Sequence, residues 1–194
     1  MNRFRGFTLI ELLVVIAIIA ILTSLAAPSF VRQIKSNTIT SNVNTFMADL
    51  RFARSEAIRR GGAVVMCRSD APEANPPVCG TGSGSNSEGW ASGWVVYVDL
   101  NADGAISSNE VLRVQAPNTS IGSITSSPVK NKFPFTATGR LTGLTSVPTL
   151  TFGNSSSFDT SLQRVVCINI SGRARIAVDS SGKATGSATC GTDQ

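Results

Sequence analysis

The chain has 194 residues and a formal net charge of +5, from 17 Lys and Arg against 12 Asp and Glu, and it contains no histidine. That length suits one membrane segment followed by a single globular domain large enough to bury a core. Without histidine there is no histidine-based triad, no histidine metal site and no access to the commonest general base, so the chain is read as a non-enzyme.

The chain opens Met1-Asn2-Arg3-Phe4-Arg5-Gly6, continues Phe7-Thr8-Leu9-Ile10-Glu11, and then runs almost unbroken in apolar residues from 12 to 22, more weakly to 27. Residues 7–27 are long enough to cross a bilayer and are interrupted by one carboxylate. An ordinary secretory signal cut after Ser24-Leu25-Ala26 is one reading. Two features oppose it: the basic leader is only six residues long and ends in glycine, and Glu11 stands where such a segment should be purely apolar. A carboxylate in lipid costs several kcal/mol unless paired, which makes Glu11 a functional residue. Its natural partner is an N-terminal amine freed by cleavage.

Gly6-Phe7-Thr8-Leu9-Ile10-Glu11 resembles the class III signal of type IV pilins and type II secretion pseudopilins. The resemblance implies cleavage between Gly6 and Phe7 by an inner-membrane prepilin peptidase and N-methylation of Phe7. It also implies docking of Glu11 onto the N-terminus of a neighbouring subunit in a filament. Removal of Arg3 and Arg5 would leave a net charge of +3.

After Pro28, the residues Ile39, Val43, Phe46, Met47, Leu50, Ala53 and Ala57 form one stripe of an α-helix. Asn37, Asn44, Asp49, Arg51, Arg54 and Arg59 are assigned to its wet face, and Gly61-Gly62 to its end. A helix over 7–60 would be about 80 Å long at 1.5 Å per residue. Pro28 is expected to kink or locally melt it.

Short strands follow at 63–68, 93–99, 111–115, 132–136, 149–152, 164–170 and 173–178, divided by Gly, Ser, Asn and Pro. The fold class is therefore α+β, a long N-terminal helix packed on antiparallel sheet. The expected divisions are a leader at 1–6, a transmembrane or filament-core helix at 7–27, an amphipathic helix at 28–62 and a β-rich domain at 63–194. No internal repeat is evident. The four cysteines are read as two local disulfides, Cys67–Cys79 and Cys167–Cys190, each closing a short loop worth about 3 kcal/mol in the chain-entropy model. Cys67–Cys79 would tether a Pro-, Gly- and Ser-rich surface loop at 71–89.

Charge divides the β-rich part. Residues 61–112 carry one basic residue against six carboxylates, whereas 113–194 carry eight against three, so the C-terminal third is the part suited to a polyanion. In the acidic part Asp99, Asn101, Asp103, Gly104 and Glu110 satisfy the EF-hand calcium-loop pattern. The flanking segments read as strands rather than helices, which favours plain turn chemistry over calcium. In the basic part Ser171-Gly172 reads as a hairpin turn, and alternation puts Arg173 and Arg175 on one strand face about 6.6 Å apart. Two guanidiniums so placed suit phosphate, or else guard a solvated edge strand.

Three segments narrow the resemblance: 53–58 (ARSEAI), 93–104 (GWVVYVDLNADG) and 172–175 (GRAR) are similar to the FimT/GspH family of minor pilins and pseudopilins. That implies a pilin-like fold, a single-pass inner-membrane subunit with a periplasmic domain, and partners among other pilins. Some FimT-like members are DNA receptors in natural transformation, and their Gly-Arg-x-Arg motif matches 172–175. DNA contact through Arg173 and Arg175, helped by Arg164 and Lys183, is the resulting expectation. Membership of a type II secretion pseudopilus, with a GspH-type role, is the alternative.

Overall fold

The computed structural model describes residues 7–82, 88–144 and 146–191; Gly6 and the leader lie outside them. Helix α1 spans Leu9–Arg60. The Thr8 hydroxyl caps it by accepting from the Glu11 N–H at 3.3 Å, and Glu11 sits in the first turn, where a negative charge complements the helix dipole. Gly61, at φ 80°, closes the helix in the left-handed conformation that a side chain disfavours. The helix runs through Pro28 without a break, so the expected melting does not occur. Proline there removes one backbone donor, which a helix of 52 residues absorbs.

The first half of α1 is exposed on all sides, and its most apolar 18 residues have a mean hydropathy of 2.8. The globular domain first grips it where Arg32 donates to Ser161 Oγ at 3.1 Å and Lys35 to the Ser157 carbonyl at 2.7 Å. From there the stripe takes over: all seven of its predicted members, Ile39 to Ala57, are buried.

Asp49 corrects the wet-face assignment. It is only 4% exposed, accepts from Trp94 Nε1 at 2.8 Å and pairs with Arg113 at 2.6 Å. A buried carboxylate needs such partners, and both come from strands distant in sequence. Arg54 is half-buried instead of wet, and its Nε donates to the Gly139 carbonyl at 3.1 Å.

Among the described residues eight strands follow: β1 Val64–Arg68, β2 Trp94–Val98, β3 Val111–Gln115, β4 Ile124–Ser127, β5 Lys132–Phe135, β6 Thr149–Phe152, β7 Arg164–Ile168 and β8 Ala174–Ile176. They form two antiparallel four-stranded sheets, ordered β3-β2-β1-β5 and β4-β6-β7-β8. Strand β4 was not expected from sequence. Its residues Ile-Thr-Ser-Ser carry one apolar side chain, and pairing with β6 is what makes it a strand.

Both sheets pack one face on α1. Phe46 is the hub, with its ring 5.3 to 5.6 Å from those of Trp94, Trp90 and Phe152 in edge-to-face geometry. Each sheet also buries side chains on its outer face, and a disulfide-tethered segment stands over each. Cys67–Cys79 joins a cluster of Val65, Val95, Tyr97 and Ile106, while Cys167–Cys190 joins Val165, Ala177 and Ala188. Both expected disulfides are present, with Cα–Cα separations of 5.6 and 5.8 Å.

Candidate functional site

The basic hairpin is β7, a turn at 169–173 and β8, which is an edge strand of the second sheet. Asn169 builds the turn. Its N–H donates to the Arg173 carbonyl at 3.0 Å, its carbonyl accepts from Gly172 at 2.9 Å, and its side-chain oxygen accepts from the Arg173 N–H at 3.0 Å. Gly172 has φ 73°, and a Cβ there would collide with the Gly139 carbonyl oxygen, so glycine is required twice over. Beyond the turn, Ala174 and Ile176 pack against the core and Arg175 is exposed on the opposite face of β8, while Arg173 is exposed at the turn's exit. Arg175 stands directly across from Cys167, so the Cys167–Cys190 bridge lies beneath the basic face.

The two expected helpers fare differently. Arg164 lies in phase with Val166 and Ile168, whose side chains face the core, and so on the face of β7 opposite to that of Arg175. Its Nη1 caps the carbonyls of Ser161, Leu162 and Gln163 at 2.8 to 3.2 Å. Arg164 is thus engaged in ending the preceding loop, away from Arg173 and Arg175. Lys183 is exposed at the exit of a second turn, 179–183, at the far end of β8. Asp179 organises that turn. Its carboxyl is lowered to about 2, first by the Ser181 hydroxyl and then by the Lys183 N–H, so it carries a negative charge beside the lysine.

The acidic loop between β2 and β3 engages its carboxylates with its own backbone. Glu110, 2% exposed, accepts from the Leu100 N–H at 2.9 Å and the Ser107 N–H at 2.8 Å, and these bonds, Ser107 first, hold its carboxyl below the usual range. Asp99 accepts from Gly104 N–H at 3.1 Å, and Asp103 from Ala105 N–H at 2.8 Å. Among the described residues no group of three His, Cys, Asp or Glu is placed to hold a metal ion. In the calcium-loop pattern, Asp99, Asn101, Asp103 and Glu110 each accept a hydrogen bond from within the loop between the two strands. Tyr97, beneath this loop, is pushed up to about 12 by burial and then by the charges of Asp99, Glu110 and Asp103.

Arg68, which sequence reasoning only counted as the one basic residue of 61–112, is fully buried. Its guanidinium reaches Asp70 at 2.5 Å, Ser92 Oγ at 3.2 Å and the Thr81 carbonyl at 2.7 Å, holding the Cys67–Cys79 loop onto the sheet. At the other end of the molecule, Phe7 and Glu11 are exposed at the start of α1.

Comparison with known proteins accounts for both ends. Residues 1–27 match the prokaryotic N-terminal methylation motif, and residues 42–182 match the family described as type II transport protein GspH. The prepilin peptidase-dependent protein D of Escherichia coli (strain K12) is 39% identical over 62 residues, which is 32% of this chain and 42% of that relative's length. Among solved structures, the type IV minor pilin FimU of Pseudomonas aeruginosa PAO1 superposes with a TM-score of 0.54 at 23% identity, over 76% of this chain and 92% of that one. A second crystal form of FimU gives a TM-score of 0.50 at 22% identity, over 78% and 95%. The FimU likeness is one of fold: a long helix on two antiparallel sheets. With a family model spanning residues 42–182 behind the methylation motif, this chain belongs to the GspH family of pilin-like proteins.

Proposed function

We propose that this chain is a minor pilin of a type IV pilus whose β8 edge binds DNA without sequence preference, for uptake in natural transformation. In this reading the chain is cut between Gly6 and Phe7, Phe7 is methylated, and Glu11 docks onto a neighbouring N-terminus. The segment 7–27 anchors it in the inner membrane, with the globular domain in the periplasm. One observation carries the DNA reading: Arg173, at the exit of the turn, and Arg175, on the outer face of the edge strand β8, both stand exposed, while the other face of β8 is held in the core. That arrangement presents two rigidly based guanidiniums to a phosphate backbone. Contact is with the backbone alone, since β8 carries no aromatic side chain on which bases could stack.

The test is binding of duplex DNA by the full chain in a zwitterionic detergent. Arg173→Gln with Arg175→Gln is expected to abolish the shift at low salt. Unchanged binding in the double variant would overturn the reading. The family description favours one other reading, a GspH-type pseudopilin of the type II secretion system. In that case the arginines guard an edge strand, and their loss leaves DNA retention where it was.

A further inference from the structure

The turn that presents Arg173 occurs three times in the second half of the chain. Thr136-Ala137-Thr138-Gly139-Arg140, Asn169-Ile170-Ser171-Gly172-Arg173 and Asp179-Ser180-Ser181-Gly182-Lys183 share one pattern: a side-chain acceptor first, a hydroxyl third, glycine fourth and a cation fifth. They also share one hydrogen-bond scheme. In each, the first N–H donates to the fifth carbonyl at 2.8 to 3.0 Å, and the fourth N–H returns to the first carbonyl at 2.8 to 2.9 Å. The fifth N–H donates to the first side chain at 3.0 to 3.1 Å. The glycines have φ 73°, 73° and 78°. Because the first residue takes up the backbone donor of the fifth, each turn offers a ligand the cationic side chain and not the amide.

Position separates the three. The first two turns touch. The Leu141 N–H, directly after Arg140, donates to the Ile170 carbonyl at 2.9 Å, and a Cβ on Gly172 would strike the Gly139 carbonyl oxygen. Arg54 of α1 lies against both, donating to the Gly139 carbonyl while its side chain closes on the space beside Gly172. The third turn is at the other end of β8, on the order of 20 Å away for six residues of extended chain.

Charge separates them as well. Thr136 and Asn169 are neutral, so the first two turns carry a net +1 each, whereas ionised Asp179 cancels Lys183 within its own turn.

We propose that Arg140 is a further phosphate-binding residue of the DNA site, supplied from the first sheet and set beside Arg173 by a turn of the same construction. The proposal rests on the DNA reading of the β8 edge. Arg140 is exposed at the exit of β5, so the site crosses the seam between the two sheets, and Arg54 adds a third positive charge at the joint. Arg140 thereby takes the helper's place that Arg164 vacates by capping carbonyls, and it outranks Lys183.

The experiment measures duplex affinity of the full chain in zwitterionic detergent across a salt series, for the unaltered chain and for Arg140→Gln, Arg140→Lys, Lys183→Gln and the Arg173→Gln, Arg175→Gln double variant. Arg140→Gln should reduce the magnitude of the salt slope by about 0.9, Arg140→Lys should retain it, and Lys183→Gln should change it less than Arg140→Gln. If Arg140→Gln binds like the unaltered chain while the double variant loses binding, the inference falls and the DNA reading stands. If neither alters binding, both fall. A shared loss in Arg140→Gln and Arg140→Lys, with a lowered melting temperature, would assign Arg140 a structural role and overturn the inference.

Discussion

The acidic loop at 99–110 and the basic turns at 136–140 and 169–173 are made from the same residue types, with opposite results at the surface. In both, an oxygen side chain accepts a backbone N–H a few residues on, which is ordinary turn chemistry. In the loop the acceptors are the charged groups themselves. Asp99, Asp103 and Glu110 direct carboxylate oxygens onto Gly104, Ala105, Leu100 and Ser107, and their charge is used inside the loop. In the basic turns Thr136 and Asn169 accept with neutral oxygens, and the charged side chain follows the glycine, outside the network. A ligand therefore meets charge at one and braced backbone at the other. The turn 179–183 is the intermediate case, with an ionised acceptor and an exported lysine.

The comparison can be broken most severely by freeing the ground beneath the basic face. Replacing Cys167 and Cys190 together by Ala should cost about 3 kcal/mol of stability in the chain-entropy model, read as a lower denaturant midpoint. Unchanged stability would mean that the tail is not what fixes the outer side of β7 and β8.

A smaller effect tests the inward use of charge in the loop. Glu110→Gln keeps one acceptor oxygen where two are in use, so its melting temperature should fall. Millimolar calcium should leave the melting temperature of the unaltered chain where it is, because a native-state ligand must raise it by mass action. A rise with calcium would show the carboxylates turning outward, and the contrast with the basic turns would be lost.

The smallest effect is spectroscopic. Tyr97 is the single tyrosine, so its phenolate absorbance reports on the loop directly. Its folded value, about 12, lies above the ordinary 10, so the neutral phenol is the form the fold favours. The stabilisation this gives is present in full below pH 10 and is lost as pH rises from about 10 to about 12. Asp103→Asn should lower the phenolate midpoint slightly, since Asp103 is the last of the charges acting on it; an unmoved midpoint would remove it from the set.

Much of this was legible in the chain because it depends on near neighbours. The stripe from Ile39 to Ala57 is a matter of helical period, and every member is buried. Arg175 lies on the outer face of β8 because a strand alternates, and the shared pattern of 136–140, 169–173 and 179–183 could have been found by aligning the three glycines. Cys67–Cys79 and Cys167–Cys190 are the local pairing among three possible connectivities, the one that short loops favoured. The methylation motif is local by nature.

What sequence did not determine involves partners far along the chain. Asp49 has the spacing of a wet-face residue, and only Trp94 and Arg113, brought in by β2 and β3, make its burial tolerable. Arg68 is buried because Asp70, Ser92 and Thr81 surround it. Whether Arg164 stood with Arg175 or against it depended on the register that sets Arg175 opposite Cys167, which alternation within one strand does not specify. Strand β4 exists because β6 pairs with it. By itself, then, the sequence determined the methylation motif, the helix stripe and the construction of each turn, all of them local features. Only the tertiary structure decided that the turns at Gly139 and Gly172 touch, because that contact depends on how two sheets close against one helix.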